Sequence, residues 1–177
     1  MQNYSIKYSG NLIHILFLAI IVWIAGIIFA PVFANSNYTS LKNISDFLYY
    51  FLKPVCHQFE NRSFQIEGHA LAVCVRCFAI YFAGIFVFLY YLLQKQIRIF
   101  SRIIYAILFF PAAIDFVLEK FEFYFDHPIT RFITGFAFGI VFFQVLLVAI
   151  LHKKLPVFNT EEKSMNKKLV KRIIANG

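Results

Sequence analysis

Between Asn11 and Phe33 the chain reads NLIHILFLAIIVWIAGIIFAPVF, a stretch without one Asp, Glu, Lys or Arg. A helix of about 20 apolar residues spans the hydrocarbon core of a bilayer, and a helix apolar all round has no polar face to offer water. Three more apolar runs follow, Phe78–Leu93, Ile103–Leu118 and Phe132–Leu151. Across all 177 residues the chain is 60% hydrophobic and 15% charged, with a mean hydropathy of +0.69. That composition excludes an ordinary soluble domain. The expected fold is an all-α integral membrane protein, a bundle of about four transmembrane helices. Residues 1–155 read as a single membrane domain and 156–177 as a basic tail.

The ends of these runs carry the rest of the organisation. "VFA" at Ala34 resembles a signal-peptide cleavage site. The apolar run before it exceeds the usual length of roughly 7–15 residues and has little positive charge ahead of it, so the first helix is read as retained. Between the first two runs, Leu41, Ile44, Phe47, Leu48 and Phe51 recur at helical spacing. They predict an interfacial amphipathic helix, with Tyr49 and Tyr50 at headgroup level. Pro111 predicts a kink in the third span.

The net charge is +8, and its distribution reads as topology. With four spans, Lys7, Lys95, Arg98, Arg102 and the many basic residues of the tail share one side. Lys42, Lys53, Arg62, Arg76, Lys120 and Arg131 share the other. The larger basic share marks the cytoplasmic side. The expectation is a multi-pass protein of the cell (inner) membrane with both termini cytoplasmic and the bilayer as its partner. No basic patch with interleaved aromatics lies in a soluble module, so no nucleic-acid partner is expected.

Against this apolar background one window stands apart. CHQFENRSFQIEGHALAVCVRC, Cys56 to Cys77, holds every cysteine of the chain and two of its histidines. Cys74 and Cys77 form a Cys-x-x-Cys, which chelates one ion from a single turn. Cys56 with His57 or His69 would complete a tetrahedral set of three thiolates and an imidazole. A divalent metal, zinc above all, suits these ligands best. The competing reading is thiol–disulfide chemistry at Cys74 and Cys77, whose place before a helix and beside Arg76 lowers thiol pKa.

A second polar group lies within the apolar runs. Asp115 sits inside the third span and shares a helical face with Glu119 and Glu122. Ionisable residues inside spans are functional candidates, so Asp115 and Glu119 are the acid/base candidates if the metal has an open position. The alternative is that Asp115 neutralises Arg131 or Arg76 between packed helices. Arg62, Arg76 and Arg131 complete this polar set. Gly135 and Gly139 form a small-x-x-x-small face for close helix packing, within the chain or with a second copy as a homo-oligomer. His127, in the connection after the third run, could approach the metal site, but a lone loop histidine is more often solvated; His14 and His152 carry no functional reading.

Cys56 to Phe64, His69 and then Cys74 to Tyr81 together resemble the signature of a family of small prokaryotic membrane proteins, domain of unknown function twenty eighty-five. The later Pro111–Asp115 and Arg131, Thr134, Gly135 match the rest of its pattern. The resemblance runs from about Cys56 to Gly139. Ala79 stands where the family has glycine, as does Phe116, and Glu119 stands where glutamine is expected. The resemblance implies the membrane class and the choice of residues, and carries no activity. The functional expectation is a metal-binding membrane protein with its Cys/His loop on the outer face. A thiol–disulfide oxidoreductase and a small transporter or ion-handling protein are the alternatives.

Overall fold

The structure is a computed structural model, and it describes residues 5–7, 10–94, 96–98, 100–121 and 127–154. The chain divides into two compact units, Met1–Gln144 and Val145–Gly177. The basic tail expected from residue 156 lies outside the described residues.

Five α-helices dominate the described residues: α1 Gly10–Ala34, α2 Thr39–Leu52, α3 Val75–Gln94, α4 Arg102–Lys120 and α5 Pro128–Lys154. Three of them hold stretches long and apolar enough to cross a membrane, Asn11–Ala34, Val75–Gln94 and Pro128–Ile150. The third expected span is a shorter apolar helix over Ile103–Leu118. The protein is thus an all-α membrane protein with three helices long and apolar enough to cross a membrane and a shorter apolar helix among the described residues. α4 continues through Pro111 and α1 through Pro31.

The apolar side chains follow the logic of a lipid solvent. Leu18, Val22, Phe110 and Ile133 stand exposed, as helices in hydrocarbon require, since their backbone polar groups are satisfied internally. The amphipathic α2 is more informative. Ile44, Phe47 and Phe51 are exposed on one side, while Ser45 and Leu52 are buried on another. Ser45 Oγ donates to the carbonyl of Ala30 at 2.7 Å, which fastens α2 to α1. Trp23 of α1 then meets Phe51 of α2 and Tyr81 of α3 edge-on, at 5.8 and 5.7 Å between ring centroids.

Two small sheets close the ends of the first unit. β1 (Ser5–Lys7) pairs antiparallel with β4 (Gln96–Arg98), in the register Ser5 to Arg98. The start of α1 and the end of α3 therefore lie together, as an out-and-back path requires. At the other end β2 (Gln65–Ile66) and β3 (His69–Ala70) form a hairpin. Its turn residues Glu67 and Gly68 have φ of 51° and 83°, the positive-φ pair of a type I′ turn. Asn35, just past α1, donates to Glu67 at 2.6 Å and holds the turn in place.

α3 and α5 approach closely because two glycines remove the side chains between them. A Cβ on Gly135 would lie 2.6 Å from the carbonyl oxygen of Arg76, and one on Gly139 would lie 2.6 Å from that of Ile80. The small-residue face that offered a surface for a second copy is taken up by α3 of the same chain.

Candidate metal centre

The Cys56–Cys77 window folds over the ends of α1, α2 and α3. α2 ends in a 3-10 turn, Lys53–Val55, started by Pro54. Cys56 follows in extended backbone, φ −154°. The chain leaves through a second 3-10 turn, Glu60–Arg62, and the β2–β3 hairpin, and returns at Cys74. The carbonyl of Cys74 accepts the amide of Phe78 at 2.9 Å, so Cys74 opens α3 and Cys77 sits one turn in. Beneath the window Ile27, Ala30, Leu52, Cys56, Leu71, Ala72 and Val73 form a buried core.

This path brings three thiols together. The sulfurs of Cys56, Cys74 and Cys77 all lie within 4.8 Å of one another. All three are free cysteines, Cys56 buried and the others half-buried. The amide of Cys74 donates to Cys56 Sγ at 3.1 Å. The Cys74 thiol, then the Cys77 thiol, also donate toward this sulfur, and together they hold the Cys56 thiol far below the ordinary range against the opposing effect of burial. Donors aimed at a sulfur favour its thiolate, the form that binds metal.

Neither expected histidine lies within the sulfur cluster. His57 is exposed, stacks on Phe59 at 5.8 Å, and lines the same cavity as the three cysteines. His69 stands across the hairpin and lines a different cavity, with Asp46, Tyr49 and Glu60. Of the two, His57 is the one that shares a cavity with the thiols. His127 caps the start of α5, its carbonyl accepting from Thr130 at 2.8 Å.

The residue that sequence reasoning passed over is Gln58. Its side-chain amide donates to the carbonyl of Tyr49 at 2.8 Å and to that of Ala72 at 2.9 Å. It therefore ties α2 to the segment leading into Cys74. Its backbone has φ 54°, a left-handed conformation that costs a non-glycine residue energy. Tyr49 adds a second tie by donating its hydroxyl to the carbonyl of Ala70. Burial, then the charge of Glu60, raises the Tyr49 pKa and keeps that donor protonated. Gln58 sits in the Cys56-His57-Gln58 signature, which was the available signal.

Asp115 is 4% exposed and forms an ion pair with Arg76. It also accepts from Thr134 Oγ1 at 3.0 Å. One carboxylate thus links α3, α4 and α5. Asp115 is absent from the described residues that line the cysteine cavity, so its place is between helices and not at the thiols. The side chain of Glu119 and residue Glu122 lie outside what the structure describes. Arg62, Arg76 and Arg131, by contrast, all line the cavity beside the thiols. Arg62 also lies over the Phe59 ring, 5.4 Å from its centroid.

Known proteins resemble this chain. An uncharacterised protein of Methanocaldococcus jannaschii is 32% identical over 148 residues, 79% of this chain and 95% of that protein. One from Methanothermobacter thermautotrophicus is 31% identical over 102 residues, 55% of this chain and 92% of that protein. No solved structure matches. The family described as predicted membrane protein (DUF2085) matches residues 56–145, from Cys56 of the thiol cluster through Asp115 and Gly139. The chain belongs to this family of multi-pass predicted membrane proteins.

Proposed function

We propose that Cys56, Cys74 and Cys77 bind one divalent metal ion of the zinc class at the membrane interface. The observation that carries this reading is the convergence of three sulfurs within 4.8 Å from two segments 18 residues apart in sequence. Thiolates held about 2.3 Å from a tetrahedral zinc lie about 3.8 Å apart, so side-chain adjustment alone closes the set. The Cys74 amide, donating to Cys56 Sγ, supports a ligand in the way that outer partners of metal sites do. His57 is the protein's candidate for the fourth position. Such a site clamps the end of α2 to the start of α3. The distribution of basic residues favours the cell membrane, cytoplasmic termini and a site on the outer side.

Metal analysis of the full chain purified in detergent tests the reading. About one zinc per chain, lost in Cys74→Ala, is the expected result. Cobalt substitution should add thiolate charge-transfer absorption. Thiol–disulfide chemistry is the second reading, favoured by the place of Cys74 and Cys77 at the start of α3, where helix N-termini stabilise thiolates. A metal-free protein with a Cys74–Cys77 disulfide would establish it instead. Labelling of Cys56 only from the cytoplasmic side, after chelation, would reverse the orientation.

A further inference from the structure

We infer that the cavity beside the thiols is a binding site for a phosphate group, held by Arg62, Arg76 and Arg131 next to the metal. The inference rests on the metal reading and names a ligand for that same site.

The cavity has a volume of about 150 Å³. Drug-sized ligand pockets begin near roughly 300 Å³, so the space is of a size for a small polyatomic anion. Its lining is strongly cationic. Arg62 comes from the second 3-10 turn, Arg76 from the first turn of α3 and Arg131 from the first turn of α5. No carboxylate is among the described residues that line it. Arg131 is only 6% exposed, so its charge is held inside the protein and not in water.

Helix electrostatics point the same way. The N-terminal end of a helix is electropositive and favours anions. Neither α3 nor α5 has an acidic residue in its first turn. Both instead place an arginine there, against the helix's own preference. An anion between the two helix starts offsets both the helix dipoles and the guanidinium charges. Arg76 meets Asp115 through Nη2, but a guanidinium carries five donors in a fixed fork, so one arginine serves the carboxylate and a cavity ligand together. Guanidinium forks match phosphate oxygens in pairs, and three forks from three elements suit a tetrahedral oxyanion better than a planar carboxylate. The metal makes this compatible with the sulfurs, because it cuts the charge of three thiolates to a net −1, which the three arginines outweigh. A phosphate oxygen then competes with His57 for the fourth position.

The phosphate group can come from the aqueous phase or from a lipid headgroup, and the test separates the two. Full-length, zinc-loaded protein in phospholipid-free detergent is titrated calorimetrically with inorganic phosphate. In parallel it is reconstituted into nanodiscs of phosphatidylcholine with or without phosphatidic acid. One phosphate per chain, weakened about tenfold in Arg62→Gln by loss of a charge-assisted hydrogen bond, is the expected result, with zinc content unchanged and acetate not bound. Arg62 lies on an exposed loop, so its variant should fold; Arg131→Lys, which keeps charge and removes the fork, is the second variant. Retention of phosphatidic acid with the same Arg62 dependence, without binding of free phosphate, supports the site and assigns it to a headgroup. Zinc at one per chain with neither ligand bound overturns the inference and leaves the metal reading standing. A metal-free protein, recognised before phosphate is added, overturns both.

Discussion

The amide nitrogen of Cys74 lies 3.1 Å from the sulfur of Cys56, across 18 residues of sequence. This contact fastens the two ends of the window to each other and aims a donor at the most buried thiol. Cys56→Ser is expected to keep the fold and lose the metal. The loss in zinc affinity should exceed the roughly 10- to 100-fold typical of a residue that merely supports a ligand. Competition with a chromophoric chelator measures it, and unchanged affinity would remove Cys56 from the ligand set.

Gln58 holds two backbone carbonyls with one amide. Gln58→Ala leaves the carbonyls of Tyr49 and Ala72 without that donor, at a cost of about 1–3 kcal/mol. The variant should melt at lower temperature in detergent and bind zinc more weakly, because the Cys56 and Cys74 segments lose one of their ties. A variant as stable as the parent would show that the hairpin is held by Tyr49 and packing alone.

The glycines of α5 and α1 make opposite predictions. At Gly139 an added methyl meets the Ile80 carbonyl at 2.6 Å, whereas at Gly26 it meets only Leu48 Cδ2 at 3.6 Å, an ordinary contact. Gly139→Ala should cost about 1–3 kcal/mol by forcing α3 and α5 apart. Gly26→Ala should be neutral or slightly stabilising, since alanine favours helix over glycine by up to about 1 kcal/mol. Unfolding of both variants in mixed micelles compares them directly. Equal effects would mean that the close approach of α3 and α5 contributes little.

Asp115 anchors Arg76 and Thr134 at the meeting of three helices. Asp115→Asn removes the charge and leaves Arg76 without its carboxylate, at about 3 kcal/mol for a pair of this burial. Arg76→Met in the same chain should recover much of that loss, because no unpaired charge is then left between the helices. A double-mutant cycle on thermal unfolding gives the coupling. A coupling near zero would mean that the pair is not a structural link.

Much of the fold was legible without coordinates. Asn11–Phe33 announces a span through length and absence of charge, and α2 announces itself through spacing alone. The third apolar run was read over Ile103–Leu118, and α4 carries its apolar stretch over those residues, shorter than the three long apolar helices. Hydropathy marks an apolar run and does not say how deeply its helix crosses. The β2–β3 hairpin went unread because its strands are only two residues long, too short for any alternation to show.

For the site, residue types and spacing were sufficient to single out Cys56, Cys74 and Cys77, because soft ligands are conspicuous in an apolar chain. They could not choose between His57 and His69. That choice depends on which side of a hairpin each imidazole occupies, and the Glu67–Gly68 turn, with Asn35 holding it, sends His69 to the other cavity. Likewise a charge pattern names Arg76, Arg131 and Asp115 as a set without assigning partners. The class, an all-helical membrane chain with one thiol-rich window, follows from residue types, since burial in lipid and ligand chemistry are properties of residue types. Folding in three dimensions is what gives Asp115 to Arg76, packs Gly135 and Gly139 against α3, and brings three arginines beside the thiols. Those outcomes depend on distances between segments remote in sequence, and local residue patterns carry no such distances.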